Sequence, residues 1–301
     1  MVISSVSEEN IFYELLDNTK DNIKYAFENN WPYILQATRN GYMTYGDTET
    51  KVYYTKRFPN VERSPIVIVN ALGRYPRECI SKLALNNHKN NINTIVKNVP
   101  SNNLQWWLEN NFTETTTPWS HYSIKDDNTF PQYIVLNETI LLKGFKEDVK
   151  YQINRFQKRP ISTIQYSENY NKEAMRLLDD FSIYSQNKGN DYANEVKNGH
   201  LFFFDNLIQK RIRFAHIEND RLIGFSFLTP VNNIIFYNAV ICQYERNIMK
   251  YLVYQSLKLL AERNIYKYFC MQGSENEGQD YLKKRLGASI VIQKTHLTYS
   301  P

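Results

Sequence analysis

Apolar positions in the last third of the chain change from a strand-like to a helix-like pattern and back again. Residues 234–242 form a continuous apolar run rich in β-branched and aromatic residues, which predicts a buried strand. Residues 243–247 are polar, and residues 248–263 then place apolar side chains on one face at helical spacing. A second short apolar run, 266–271, predicts another strand. The pattern therefore predicts strand, elbow, helix and strand.

A polar loop and a further helix follow the second strand. The loop, residues 272–278, contains Gly and Ser, which form turns, and the helix carries Leu282, Lys283, Leu286 and Gly287. An elbow between a strand and a helix directs backbone N–H groups and the positive end of the helix dipole into the space beside the strand. Such a place binds phosphate groups.

The order of these elements resembles a known superfamily, the GNAT-like acyltransferases. The resemblance rests on Gly273-Ser274-Glu275 after a strand and on the ending Leu282-Lys283-x-x-Leu286-Gly287. Within the superfamily the chain is similar to the tandem-domain branch, which includes FemAB-like aminoacyltransferases and the aminoacyl-transfer domain of phosphatidylglycerol lysyltransferases. The resemblance implies an α/β fold with two tandem GNAT-like domains, whose mixed sheets are flanked by helices. We expect an N-terminal domain over 1–141, intact or degenerate, and a C-terminal acyltransferase domain over 142–301.

The remainder of the chain also alternates between helix and strand patterns. Helices are expected at 8–29, 78–86, 103–110, 143–159 and 172–187, and strands at 51–56, 65–72, 94–99, 115–124, 133–137, 161–166, 212–218 and 221–228. Asn219-Asp220 between the last two strands predicts a tight hairpin. The helix at 143–159 has one apolar stripe among basic residues. Its basic face is either simply solvated or helps to hold a phosphate-bearing donor.

Composition narrows the class of protein. With 301 residues and 42% hydrophobic content, the chain can fill two cores, and its net charge of +5 permits a polyanionic partner without requiring one. No run approaches the roughly 20 apolar residues that span a membrane, and no basic segment precedes a long apolar run near Met1, so we expect a cytoplasmic protein. No cysteine has a histidine at metal-ligand spacing, and Gly-x-Ser-x-Gly and Walker-type loops are absent from the sequence. Hydrolase, kinase and metalloenzyme functions are therefore disfavoured, and we expect no metal.

Two residues are candidates for catalysis. Glu275 is the best candidate acid or base, although it is also placed to make local hydrogen bonds in a turn. Asn238 interrupts an apolar strand, so it either orients a substrate carbonyl or amine or is a buried amide that bonds to backbone. His216 lies in a predicted strand, where a single histidine is more often structural than catalytic.

The donor and substrate contacts are expected around the elbow and the loop. Gln243, Arg246 and Asn247 at the elbow, with Lys283, are candidates for binding the donor, and Glu245 beside them either caps the helix or only favours its dipole. Candidates for contact with the transferred group are Gly273, Ser274 and Tyr237. The elbow contains no glycine, unlike the pyrophosphate loop of acetyltransferases, and this favours a bulkier, phosphate-rich donor over acetyl-CoA.

The expected function is acyl or aminoacyl transfer. The donor co-substrate is aminoacyl-tRNA or an acyl-CoA, no cofactor is bound permanently, and the acceptor is an amine or hydroxyl on a peptide, a lipid head group, a small amine or a modified nucleobase. tRNA is accordingly an expected partner. The alternative is a catalytically inactive GNAT-like module that binds nucleic acid or a protein.

Overall fold

A computed structural model describes residues 5–19, 29–38, 41–115, 131–187, 193–201, 204, 208–245, 247–272 and 277–301. Within these ranges the helices are α1 (Ser5–Asp17), α2 (Trp31–Ala37), α3 (Pro76–Lys89), α4 (Leu104–Glu109), α5 (Asn137–Leu141), α6 (Glu147–Phe156), α7 (Asn171–Asn187), α8 (Ala193–Leu201), α9 (Ile248–Ala261) and α10 (Glu277–Arg285). The helix expected at 8–29 begins as α1, and the part of it at 20–28 lies outside the described residues.

The strands belong to two mixed sheets. They are β1 (Met43–Gly46), β2 (Thr50–Lys56), β3 (Ile66–Gly73), β4 (Thr94–Pro100), β5 (Phe112–Thr115), β6 (Gln132–Leu136), β7 (Ile161–Gln165), β8 (Ile212–Glu218), β9 (Arg221–Val231), β10 (Ile234–Cys242), β11 (Tyr268–Cys270), β12 (Ile290–Ile292) and β13 (Lys294–Tyr299). The order in the first sheet is β1-β2-β3-β4-β13-β5, and in the second it is β12-β6-β11-β10-β9-β8-β7. The strand expected at 115–124 lies outside the described residues except for Thr115.

The described residues form two compact units. Those up to Gln132 and those from Ile292 onward form the first, and Tyr133–Gln272 with Glu277–Val291 form the second. The division expected after Leu141 does not coincide with this one. β6 pairs with β11 in the second sheet, and β13 pairs with β4 and β5 in the first, so backbone hydrogen bonds return the end of the chain to the first unit.

The two units repeat one arrangement of strands and helix. In the second unit β9 and β10 are antiparallel, α9 follows, and β11 pairs in parallel with β10. In the first unit β2 and β3 are antiparallel, α3 follows, and β4 pairs in parallel with β3. In each case the strand before the helix has one extra residue, at Val69 in β3 and Asn238 in β10, which is a β-bulge. This repeat is not visible in the sequence.

Burial follows the predicted patterns. On α6 the apolar stripe of Val149, Ile153 and Phe156 is fully buried, which confirms the docked amphipathic helix.

The hairpin between β8 and β9 turns at Asn219 and Asp220, whose φ angles are 48° and 60°. Both are left-handed, as a type I′ turn requires, and Asn and Asp tolerate this conformation better than other non-glycine residues.

The helix after β10 lies very close to the sheet because Gly224 has no side chain. A Cβ atom on Gly224 would lie 2.8 Å from Leu252 Cδ1 and 2.9 Å from Cys242 Cβ. This glycine lets α9 bury nearly one whole face, which includes Leu252, Leu257 and Leu260. The helix is thereby held firmly at the end of β10, where the predicted elbow lies.

Candidate active site where two strands part

Strands β10 and β11 pair for only three residues before they separate. The parallel partners are Ile234 with Tyr268, Ile235 with Phe269 and Phe236 with Cys270. β11 then ends, while β10 continues for six more residues to Cys242. The parting leaves an open edge of β10 that is not hydrogen-bonded to β11, and the bulge at Asn238 lies on this edge.

The side chain of Gln272 spans the gap to β10 at the point where β10 and β11 separate. Its amide nitrogen donates to the carbonyl oxygen of Tyr237 at 2.5 Å and also to that of Asn238. Carbonyls of successive residues point to opposite edges in a regular strand, so two that share one donor show how the bulge turns the backbone. Gln272 itself has a left-handed φ of 66°. Gln272 therefore fixes the carbonyl groups at the point where β10 is left without a parallel partner.

The side chain of Asn238 is held in one orientation. It is 9% exposed, and its Oδ1 accepts a hydrogen bond from the hydroxyl of Thr229, on β9, at 2.7 Å. Because the oxygen of the amide is fixed in this way, the NH₂ group also has one direction. A donor held so firmly beside a bulge suits the polarisation or orientation of a carbonyl group, since it requires little reorganisation.

Behind the bulge lies a buried network of polar side chains. His216 Nδ1 lies 2.9 Å from the Thr163 hydroxyl, and His216 Nε2 lies 2.9 Å from Ser226 Oγ. Ser226 Oγ in turn lies 2.9 Å from the hydroxyl of Tyr237 and accepts a hydrogen bond from Ser256, on α9, at 3.2 Å. The network ties β7, β8, β9, β10 and α9 together directly beneath the bulge.

Burial controls the ionisation of this network. His216 is completely buried, and burial lowers the pKa of its imidazole to about 3, so the ring is neutral at neutral pH. Burial also raises the pKa of Tyr237 well above its ordinary value. His216 is therefore structural, as expected from the sequence. The ring of Tyr237 lies in the core, and Tyr237 reaches the parting through its backbone carbonyl.

The elbow connects β10 to the N-terminus of α9 without glycine. The backbone N–H of Gln243 donates to the carbonyl of Ile223 at 2.8 Å, so the elbow is anchored to β9 where it begins. Asn247 is the N-cap of α9 and has a left-handed φ of 69°, and its side chain makes no capping hydrogen bond. Asparagine thus takes the conformation for which glycine is usual. At this end of the helix the backbone N–H groups of Ile248 and Lys250 donate to the carbonyls of Glu245 and Asn247, each at 3.2 Å.

Arg159 neutralises the carboxylate of the elbow. Its guanidinium makes two hydrogen bonds to Glu218, of 2.7 and 2.6 Å, and a third to Glu245. The bonds to Glu218, followed by that to Glu245, raise the pKa of Arg159 above its ordinary value, and the bond from Arg159 lowers the pKa of Glu218. Glu245 is therefore an anchor of the elbow. Because its charge is paired, it opposes an incoming phosphate less than a free carboxylate would.

Two tyrosines form an aromatic surface at the same elbow. The rings of Tyr184, on α7, and Tyr244 stack with their centroids 4.1 Å apart and an interplanar angle of 28°. Tyr244 is 74% exposed. A large exposed ring, already held flat by a second ring, is a suitable surface for stacking a planar group such as a nucleobase.

On α10, neighbouring basic residues have different partners. Lys284 pairs with Asp280 at 2.6 Å, and Asp280 also accepts a hydrogen bond of 2.6 Å from the hydroxyl of Tyr133. Arg285 pairs with Asp148 of α6 at 2.6 Å. Lys283, predicted to bind the donor, is half-buried on the same helix. Arg285 thus joins α10 to α6, and Asp280, which pairs with Lys284 of the same helix, joins α10 to β6 through Tyr133.

The glycine of the Leu-Lys-x-x-Leu-Gly ending has a clear structural reason. Gly287 has a left-handed φ of 76°, and a Cβ atom there would lie 2.7 Å from the carbonyl oxygen of Gly144. Leu286, just before it, is 1% exposed. The motif therefore ends α10 in a left-handed turn that packs closely against the loop before α6.

Four predicted site residues, Arg246, Gly273, Ser274 and Glu275, lie outside the residues that the structure describes, and their roles stay predictions. Of the remaining five, the structure brings Tyr237 and Asn238 together at the parting. Gln243 and Asn247 lie on the elbow, and Lys283 lies on α10.

Sequence analysis did not identify several residues that shape the site. Gln272 follows a buried strand directly, and a polar amide at that position was the one signal that could have singled it out. Nothing in the sequence connects Arg159 with Glu218 and Glu245, because these residues are 59 and 86 positions away from it along the chain. The same holds for Tyr184 and Tyr244, which lie on separate elements.

In the part of the chain that the structure describes, no group of three or more His, Cys, Asp or Glu side chains is arranged to hold a metal ion. None of the described helices is both long and apolar enough to cross a membrane.

The fold is similar to that of several solved structures. A conserved protein of unknown function from Bacteroides thetaiotaomicron has a TM-score of 0.73 and 16% identity, over 100% of this chain and 99% of that chain. FemX has a TM-score of 0.65 and 11% identity, over 100% and 97% of the two chains. The C-terminal domain of a putative lysylphosphatidylglycerol synthetase from Agrobacterium fabrum has a TM-score of 0.63 and 8% identity, over 99% and 93%.

No protein-family model matches the sequence, and no curated protein matches it either. The structural likenesses, at identities of 8 to 16%, show the fold. Together with the repeated strand, bulge, helix and strand in the two units, they confirm the expected α/β fold with two tandem GNAT-like domains. The chain therefore shares its fold with FemX and with the lysylphosphatidylglycerol synthetase domain.

Proposed function

We propose that the second unit transfers an activated acyl or aminoacyl group to an amine or hydroxyl acceptor where β10 and β11 part. The observation that carries the proposal is the bulge at Asn238, which lies on an open strand edge and is held by Gln272 and Thr229. Backbone and amide groups fixed at such an edge can orient a carbonyl group without having to rearrange. The similarity in fold to FemX and to the lysylphosphatidylglycerol synthetase domain supports a transferase.

The spacing of the site suits a long donor that carries phosphate and a nucleobase. A strand rises about 3.3 Å per residue, so the elbow at Gln243 lies about 16 Å from the bulge at Asn238. A donor whose phosphates contact the elbow must span this length to place its acyl group at the bulge. The pantetheine arm of an acyl-CoA and the 3′ end of an aminoacyl-tRNA are both long enough. At that distance from the acyl group, the adenine of CoA or a base preceding the terminal adenosine of the tRNA can stack on Tyr244.

The reaction requires little covalent chemistry from the protein. The acceptor nitrogen or oxygen attacks the acyl carbonyl, a new amide or ester bond forms, and the ester or thioester bond to the donor breaks. The acceptor loses a proton and the leaving group gains one. We assign the removal of the acceptor proton to Glu275, three residues after Gln272, and the orientation of the carbonyl group to Asn238.

A donor assay tests the proposal. The purified protein is incubated in parallel with charged tRNA, uncharged tRNA, acetyl-CoA and a longer acyl-CoA, and both binding and loss of the acyl group to amine acceptors are measured by mass spectrometry. We expect one activated donor to lose its acyl group. Equal binding of charged and uncharged tRNA without transfer would instead favour an inactive module that binds nucleic acid. Failure to bind any donor would refute the transferase and the nucleic-acid-binding module, and would leave the protein-binding module.

Substitutions in the active transferase then separate the roles of individual residues. Glu275→Gln keeps the size of the side chain and removes the base, so kcat should fall about 10²-fold with little change in donor binding. Arg246→Ala and Lys283→Ala should each weaken donor binding, with a larger effect at low ionic strength. Full turnover by Glu275→Gln would leave Asn238 and backbone groups as the catalytic candidates.

A further inference from the structure

Two loops of the first unit lie side by side at one end of its sheet. One is the hairpin tip, residues 57–64, between β2 and β3, and the other is the connection from α3 to β4. Ile66 pairs with Thr94, and the backbone N–H of Ile66 donates to the carbonyl of Asn93 at 2.9 Å. Asn87, in the last turn of α3, donates to the hydroxyl of Thr94 at 3.1 Å. The hairpin tip and the end of α3 therefore lie at the same end of the sheet.

The hairpin tip exposes two apolar side chains. Phe58 and Val61 are each 50% exposed, and neither belongs to the apolar core of the first unit that contains Ile66 and Ile68. The backbone N–H of Val61 donates to the carbonyl of Phe58 at 3.0 Å, so both residues belong to one turn. Single exposed apolar side chains are common on protein surfaces, whereas two on one turn form a small apolar surface.

Hydrogen bonds to a buried serine hold the hairpin tip in shape. Ser64 is 1% exposed, and its hydroxyl accepts from the backbone N–H of Phe58 at 2.7 Å. The backbone N–H of Ser64 donates to the carbonyl of Val61 at 3.2 Å, and that of Arg57 donates to the carbonyl of Pro65 at 2.8 Å. The loop is thus formed before any partner binds, so binding does not have to order it.

Positive charge surrounds the two apolar side chains. Arg63 and Lys89 are exposed, and Lys56 and Arg57 are half-buried. Over residues 56–63 and 87–93 the sequence contains one acidic residue, Glu62, so four cations face one carboxylate. Within the described part of the chain, none of the four cations lies within ion-pair distance of a carboxylate. The guanidinium of Arg57 lies 5.2 Å from the centroid of the Phe58 ring, a contact that does not neutralise its charge.

We propose that this end of the first sheet docks on a membrane surface rich in anionic lipid. Phe58 and Val61 enter the boundary between head groups and acyl chains, and the surrounding cations contact the lipid phosphates. A membrane interface offers apolar depth and negative charge together, and binding to it depends on the sum of buried apolar area and electrostatic attraction. A nucleic acid backbone would match the charge and leave Val61 in water. Docking requires no acyl donor, so it is independent of the transfer proposed for the second unit.

Vesicle flotation tests the proposal. The full chain is mixed with vesicles of phosphatidylcholine alone, or of phosphatidylcholine and phosphatidylglycerol in equal parts, without any acyl donor. We expect about tenfold or tighter binding to the mixed vesicles, and a loss of binding as the salt concentration rises. No binding to the mixed vesicles, or equal binding to both kinds, would overturn the proposal. Binding of a single-stranded RNA oligonucleotide without binding to either kind of vesicle would assign the surface to nucleic acid instead.

Apolar variants test whether the hairpin tip enters the membrane. Phe58→Ser combined with Val61→Ser should weaken binding to the mixed vesicles about tenfold or more, because the buried apolar area is lost. Tyr75→Ser is the matched control. Tyr75 is 52% exposed, lies 5.2 Å from the guanidinium of Arg74 and follows β3 at the opposite end of the sheet, so its replacement should leave binding unchanged. Wild-type binding by the double variant would refute insertion of the hairpin tip.

Charge variants test the contribution of the cations. Arg63→Gln and Lys89→Gln should each weaken binding to the mixed vesicles about fivefold, the effect of one cation near an anionic surface. Lys82→Gln, also at an exposed position on α3, is the control and should have a smaller effect because Lys82 lies further from the hairpin tip. Equal losses for Lys82→Gln and Lys89→Gln would show that net charge alone binds the vesicles, and would overturn the assignment to this end of the sheet.

Discussion

The side-chain amide of Gln272 donates a hydrogen bond to the backbone carbonyl of Asn238 across the start of the gap between β10 and β11. In a continuous parallel sheet that carbonyl would accept from a backbone N–H of the next strand. Gln272 thus replaces a missing strand at one point only, and the edge of β10 beyond it stays open. The separation of the two strands is consequently a fixed feature of the second unit.

Replacement of Gln272 by Met should both destabilise the second unit and disturb the site. Met keeps the length of the side chain but cannot donate to the carbonyls of Tyr237 and Asn238, and the loss should be about 1 to 2 kcal/mol in the free energy of unfolding. Urea unfolding and acyl transfer are the two measurements. Gln157→Met, an exposed glutamine bonded to Lys143, is the control and should change neither. If Gln272→Met is as stable and as active as the wild type, the bridge has no such role.

Arg159→Met should destabilise the protein at neutral pH by about 2 kcal/mol, because it removes charge-assisted hydrogen bonds to Glu218 and Glu245. The folded-state pKa of Glu218 lies below its ordinary value of 4.5. The stabilisation is therefore complete above that ordinary value and is lost as the pH falls through the folded-state pKa.

The difference between wild type and Arg159→Met should accordingly shrink in acid, as measured by thermal unfolding across pH. Arg159→Lys should recover only part of the stability, because an ammonium group cannot make the bidentate contact. Arg155→Met, four residues earlier in the last turn of α6, is the matched control. A difference that is independent of pH would show that Arg159 acts by packing and not by charge.

Tyr244→Ala should weaken binding of a nucleotide-bearing donor about tenfold or more, because stacking of a base on an aromatic ring contributes about 1 to 3 kcal/mol. Thermal stability should not change, because Tyr244 is mostly exposed. Calorimetric titration of the donor identified by the transfer assay provides the measurement. Tyr151→Ala on α6, also an exposed tyrosine, serves as the control. Wild-type affinity in Tyr244→Ala would mean that no base stacks at the elbow.

His216 should make the stability of the protein depend on pH in mild acid. Its folded-state pKa is about 3, against an ordinary value of 6.5, so between these values the unfolded chain binds a proton that the folded chain does not. Stability should therefore be full above pH 6.5 and fall as the pH decreases, by at most about 1.4 kcal/mol per pH unit. His216→Gln should lack this component of the slope, and His88→Gln, at an exposed position, should retain it. Equal slopes in wild type and His216→Gln would show that the buried ring takes up a proton in the folded state.

Much of the second unit could be predicted from local pattern. The periodicity of apolar residues predicted β10, α9 and the hairpin at Asn219 and Asp220, because strand and helix periods and left-handed turns depend on near neighbours in the chain. The ending at Gly287 was also recognisable, since its left-handed φ is a local requirement for glycine. These features limited the fold to the GNAT-like class.

The tertiary structure alone decided where the strands part and what holds them. The bond of Gln272 to Asn238 and the contact of Arg159 with Glu245 join residues 34 and 86 positions apart, and side-chain partners at such separations leave no periodic signal in one sequence. The return of β13 to the first sheet has the same cause, because its pairing with β4 depends on backbone hydrogen bonds that any residue other than proline can make. The sequence thus determined the elements and their class, and long-range packing determined the open edge at which the proposed active site lies.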